Sequence, residues 1–97
     1  MKVTTQYFRK EVRICELACA SGVLEVHISQ PASADWVVEV HRSRDAGAAV
    51  IVGSGTTSAA ALTAAATEWT AQAAHLGLGV LNWKSVTEAL HAAQAIK

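Results

Sequence analysis

Several things are scarce in this chain, and each scarcity closes off a class of explanation. Its two cysteines, Cys15 and Cys19, are too few and too closely spaced for a disulfide framework, and they form no Cys-x-x-Cys pair. Reduced thiols in a reducing, cytoplasmic compartment are the simplest expectation. Charge of either sign is in short supply: eight basic residues balance eight acidic ones, for a formal net charge of zero. A dedicated nucleic-acid binder carries a basic excess, because neutralising phosphates supplies most of its affinity. The composition therefore disfavours that class. No charged residue stands between Asp45 and Glu68, but the centre of that stretch reads Gly53-Ser54-Gly55-Thr56-Thr57-Ser58 and is too polar for a spanning helix. No apolar run follows Met1–Gln6, so no secretory leader is expected. Pro31 is the one proline, and neither a repeat nor a linker interrupts the chain.

What is present is a chain of 97 residues with 52% apolar content, enough for a single core and too short for a second ordinary domain. Residues 1–97 are read as one α+β domain. Much of the apolar content is alanine, which thins the core. Val23–Ser29 alternates, with Leu24, Val26 and Ile28 on one side and Glu25 and His27 on the other. Trp36–Ser43 repeats the pattern, setting Trp36, Val38 and Val40 against Val37, Glu39 and His41. Period-2 alternation of this kind marks half-buried antiparallel strands. A turn at Arg44-Asp45-Ala46-Gly47 leads to a third expected strand, Ala48–Val52, which Gly53-Ser54-Gly55 would break.

A long helix is expected over 57–76, capped by Thr56 or Thr57 and ended by Gly77, with Leu62, Ala66, Trp69, Ala73 and Leu76 as its apolar stripe. A last helix follows, capped by Asn82 or Ser85, with Val86, Leu90 and Ala93 on its apolar side. Residues 5–20 are ambiguous. On a helical wheel Phe8, Val12, Cys15 and Cys19 form a stripe opposite Arg9, Arg13 and Glu16; as a strand the stretch alternates poorly. The helix is the preferred reading and a strand the alternative. The expected architecture is thus an antiparallel sheet of three (or four) strands packed on one face by helices, in the order α(or β)-β-β-β-α-α.

The run Trp36-Val37-Val38-Glu39-Val40, then Val52-Gly53-Ser54-Gly55-Thr56-Thr57-Ser58-Ala59-Ala60-Ala61-Leu62, resembles the second half of a double-stranded-RNA-binding domain. The resemblance implies an αβββα fold if residues 5–20 are helical. That family sets adjacent lysines at the start of its final helix to grip phosphates. Here Thr56-Thr57-Ser58-Ala59-Ala60 stands in that place, and no lysine occurs between Lys10 and Lys84, so no RNA-contacting residue carries over. The same strand–Gly–Thr–Ala-rich-helix pattern is similar to antitoxins of the HicB type.

Candidate sites are few. Glu25, His27, Glu39 and His41 share one sheet face if the two strands pair. The plain reading is a solvated face with cross-strand Glu–His pairs; the sharper one is a zinc or pH-sensitive cluster. Cys15 and Cys19 read as small core residues. Gly53–Thr57 reads as a glycine turn with a threonine cap rather than a phosphate loop, because the further glycine or lysine of such loops is missing. Arg9, Lys10, Arg13, Arg42 and Arg44 make a basic patch only if residues 9–13 lie near the 42–44 turn. Leu62, Trp69, Leu76 and Trp83 are candidate interface positions, although Trp36 and Trp69 also read as core anchors. No nucleophile–base–acid pattern appears, so neither catalytic nor cofactor-binding nor metal-binding residues are assigned. The expectation is a non-enzymatic interaction or self-association module, with a protein partner or a homodimer. The alternative is a divergent duplex-RNA-binding module.

Overall fold

The computed structural model describes residues 1–19, 22–32, 34–42 and 50–97. Five strands, β1 (Val3–Arg9), β2 (Val12–Cys19), β3 (Gly22–Ser29), β4 (Trp36–Arg42) and β5 (Ile51–Gly55), are followed by helices α1 (Ser58–Leu76) and α2 (Trp83–Ala92). The strands form one sheet in the order β1-β2-β3-β4-β5, each antiparallel to the next. The chain is therefore α+β, with an antiparallel sheet and a helical layer on one face.

The helix expected over residues 5–20 is instead the β1–β2 hairpin. The two strands meet through the pair Arg9↔Val12, and Lys10 takes a left-handed conformation (φ 56°) in the two-residue turn between them. Alternation in β2 looks poor because both of its faces carry apolar groups. Cys15 and Leu17 enter the main core, while Ile14 is buried on the opposite face beside Val12 and Glu16. A face with Val12 and Ile14 is thus not the core face, and Glu16 is not misplaced. β-branched residues at Val3, Thr4, Thr5, Val12 and Ile14 favour the extended form. The helical stripe is not kept: Phe8 is 61% exposed. The sheet accordingly has five strands rather than three or four.

The strand expected at Ala48–Val52 runs over Ile51–Gly55, so Gly53 and Gly55 lie inside it and do not break it. Positions 43–49, including the expected turn at 44–47, fall outside the described residues. Gly53 is required by what crosses above it. A Cβ built there would fall on the backbone of Ala61 and Ala65, so only a bare Cα lets α1 lie this close to β5. The small side chains of Ala61 and Ala65 complete that approach. The buried stripe of α1 is Ser58, Ala61, Leu62, Ala65 and Trp69, rotated from the expected one toward the alanines; Leu76 is exposed.

Thr57 caps α1, its hydroxyl accepting from the Ala60 amide at 3.0 Å, and Gly77 closes it in the left-handed region (φ 65°). Asn82 caps α2, accepting from the Ser85 amide at 3.1 Å. Val86, Ala89 and Leu90 of α2, with Ala95 and Ile96 beyond it, join Leu24, Val26, Ile28, Val38, Val40 and Ile51 in one core. Trp69 fills space that alanines leave, donates through Nε1 to the Gly79 carbonyl at 3.1 Å, and meets Trp83 edge to face at 5.8 Å. Among the described residues no helix is long and apolar enough to cross a membrane.

Candidate functional site: the uncovered face of the sheet

Directly paired residues of an antiparallel sheet point to the same side, so the registers define the face turned away from the helices. One row across it runs Thr5, Glu16, Glu25, His41. The next runs Tyr7, Ile14, His27, Glu39, Val52, from one edge of the sheet to the other. A third holds Ser29, Val37 and Ser54. The structure therefore brings Glu25, His27, Glu39 and His41 together, through the pairs Glu25↔His41 and His27↔Glu39.

Within this group His27 Nε2 and Glu25 Oε1 are 2.9 Å apart. The side chains of His27 and Glu25 retain 16% and 21% of their exposure, so the pair is largely shielded from solvent. The His27 and His41 rings stack, with centroids 4.3 Å apart and planes 27° from parallel. His41 Nε2 is buried and finds no hydrogen-bond partner among the described residues. Burial, and then the neighbouring His27, push the His41 pKa below its ordinary value; Glu39 and Glu25 pull the other way. Ile14, beside His27 in its row, is 1% exposed although it lies outside the core cluster beneath the helices. This is a patch of imidazoles and carboxylates set among aliphatic side chains.

The patch does not converge on a point. Among the described residues no three His, Cys, Asp or Glu side chains are placed to hold a metal ion, and the imidazoles stack rather than aim their nitrogens at a common centre. The cysteines are on the other face. Four residues along a strand separate them by about 13 Å, too far to share an ion. Burial raises both thiol pKa values, Cys15 being in the core and Cys19 half-buried, so neither is a ready thiolate.

The other candidate residues are dispersed. Arg9 and Lys10 are at the β1–β2 turn, and Arg13 follows, paired with Ile28; Arg42 is paired with Leu24, toward the opposite end of β3. Arg13 Nη1 donates to Gln6 Oε1 at 3.0 Å and to the Gln94 carbonyl at 3.1 Å, and its guanidinium lies 4.9 Å from the centre of the Phe8 ring. Arg42 Nη1 donates to the Gly77 carbonyl at 3.0 Å, at the C-terminal end of α1 where a cation is favoured. Arg44 is outside the described residues. Of the candidate interface positions, Leu62 and Trp69 are core residues, Trp83 is half-buried against Trp69, and only Leu76 is exposed. The Gly53–Thr57 junction is accounted for by the close approach of α1 and by the Thr57 cap.

A crevice of about 320 Å³ opens beside the β1–β2 turn, lined by Phe8, Glu11, Arg13, Trp36, Gln94 and Lys97 among others. It contains neither histidine nor cysteine.

Sequence reasoning missed Tyr7, Ile14, Glu16 and Val52 as members of the uncovered face. The signal for them was available: once residues 3–19 are read as a hairpin, Thr5-Tyr7-Arg9 and Val12-Ile14-Glu16 fall on one side by alternation. No family model matches this chain, and neither a curated protein nor a solved structure is found to be similar to it.

Proposed function

We propose that this chain is a non-enzymatic protein-interaction module whose contact surface is the uncovered face of the sheet. The observation that carries the proposal is the composition of that face. Tyr7, Val12, Ile14, Val23, Val37 and Val52 frame the Glu16–Glu25–Glu39 carboxylates and the stacked His27–His41 pair, and no described helix covers them. Scattered exposed aliphatics need no explanation, but exposed Tyr7 and Val52 at the two ends of a row whose centre is charged and ring-stacked offer a partner both apolar and electrostatic contacts. The helical layer offers less, because Leu62 and Trp69 are already packed against the sheet. Duplex-RNA binding is weakly supported, since Arg9, Lys10 and Arg13 are at one end of the sheet and Arg42 at the other.

The test is position-dependent photo-cross-linking. A benzophenone side chain at Val52, on the uncovered face, is expected to give a defined protein adduct in cells producing the chain. The same group at Thr63, on the exposed side of α1, is expected to give none. Adducts from position 63 alone would move the interface to the helices. Duplex-RNA binding that weakens steeply with salt would replace this reading with the nucleic-acid one.

A further inference from the structure

The two edges of the sheet are not equivalent. β5 is short, holds two glycines, and has α1 lying directly across it. β1 is seven residues long, and every residue after Val3 is exposed. Its sequence, Val3-Thr4-Thr5-Gln6-Tyr7-Phe8-Arg9, is rich in β-branched and aromatic residues and has no charge before Arg9. An edge strand is normally blunted by proline, inward-pointing charge or a bulge, because its free N–H and C=O groups template pairing with another strand. β1 has one such device, a register shift between Val3 and Thr5 that confines the irregularity to its first residues. From Thr5 to Arg9 the strand is regular, and its outer edge has no backbone partner among the described residues.

We propose that β1 pairs antiparallel with β1 of a second copy about a two-fold axis at Tyr7, joining two five-stranded sheets into one of ten strands. The inference rests on the interaction-module reading and adds a different surface to it. A second copy is the occupant the strand itself specifies. About an axis at Tyr7, Tyr7 meets its own mate, Phe8 meets Gln6 and Arg9 meets Thr5, so the regular stretch is used in full and no like charges are opposed. Each side chain also stays on its own face, because paired residues share a parity. The row Tyr7–Ile14–His27–Glu39–Val52 then runs unbroken from one protomer into the other, and the two uncovered faces become one surface. The zero net charge puts no long-range repulsion in the way.

The test combines mass in solution with a register-specific cross-link. Light scattering on a sizing column is expected to show a dimer whose fraction rises with concentration. Tyr7→Lys and Phe8→Lys are each expected to reduce dimerisation at least tenfold, while leaving the unfolding midpoint within a few degrees of the parent chain's. Under mild oxidation, Tyr7→Cys is expected to form a covalent dimer, since directly paired Cα atoms are about 4.5–5.5 Å apart. Arg9→Cys, displaced by about 13 Å from its own mate in this register, is expected to form none. The parent chain, with Cys15 in the core, is the background control. A strict monomer at millimolar concentration would overturn the edge pairing while leaving the Val52 cross-link to judge the module reading. A dimer indifferent to both lysines, or equal cross-linking from positions 7 and 9, would also overturn it.

Discussion

The face of the sheet beneath the helices is organised by shape, whereas the face away from them is organised by charge and ring stacking. On the covered side Gly53 meets the backbone of Ala61 and Ala65, and Val26, Val38 and Val40 are fully buried. On the other side Glu25 pairs with His41 and His27 with Glu39, and the two imidazoles stack. Adjacent residues of one strand, Val52 and Gly53, thus live under different rules: the first is 51% exposed and the second is in contact with a helix. Tolerance to substitution in this protein is therefore expected to follow facing and not position along the chain.

The sharpest break of this contrast is Gly53→Ala. The added methyl collides with helix backbone, which cannot rotate away, and the expected loss is about 3 kcal/mol, the upper end of the overpacking range. Urea denaturation followed by far-UV circular dichroism measures it; a loss below about 1 kcal/mol would mean that α1 is not seated on β5 as described. Thr57→Ala removes the acceptor for the Ala60 amide, and about 1 kcal/mol of stability is expected to go with it, recovered largely by Thr57→Ser.

The third prediction concerns the uncovered face and pH. His41 has a folded pKa below its unfolded value near 6.5, so the unfolded chain binds the proton more readily. The contribution of His41 is therefore present above about pH 6.5, declines as the pH falls below it, and is gone once the pH passes below the folded pKa. His27, Glu25 and Glu39 face the ring, and His41→Phe keeps the stack while removing the titration. The urea midpoint of that variant is expected to vary less between pH 5 and 7 than the parent's; identical profiles would exclude His41 as the source. Smallest of all is Val52→Thr, expected to change stability by less than about 0.5 kcal/mol, against the large effect one residue further on.

Sequence alone was enough to read the parts of the fold whose signal is local. The alternation of Val23–Ser29 and Trp36–Ser43, a cap at Thr56 or Thr57, the Gly77 stop and a cap at Asn82 or Ser85 each depend on a few neighbouring residues, and the structure selects Thr57 and Asn82 as the caps. The β1–β2 hairpin was not legible in the same way. A strand with apolar groups on both faces loses its period, and Phe8, Val12, Cys15 and Cys19 imitate a helical stripe by coincidence of spacing. Gly53 reads as a strand breaker because its reason is tertiary: the helix residues that require a glycine there, Ala61 and Ala65, stand eight and twelve positions later. The co-location of Glu25, His27, Glu39 and His41 followed from alternation in two strands, but the His27–His41 stack and the burial of Ile14 depend on register and on a neighbouring strand that had been read as helix.

All three tryptophans belong to the covered side: Trp69 is in the core, Trp83 packs edge-on against it, and Trp36 packs on the same cluster from the start of β4. Intrinsic emission excited at 295 nm therefore reports the docking of the helices and is blind to the opposite face, where Tyr7 is the one aromatic ring besides the imidazoles among the described residues. A ligand settling on that face should leave the tryptophan spectrum unmoved. Any spectral change it did produce would be a direct optical sign that the sheet relays strain from one side to the other.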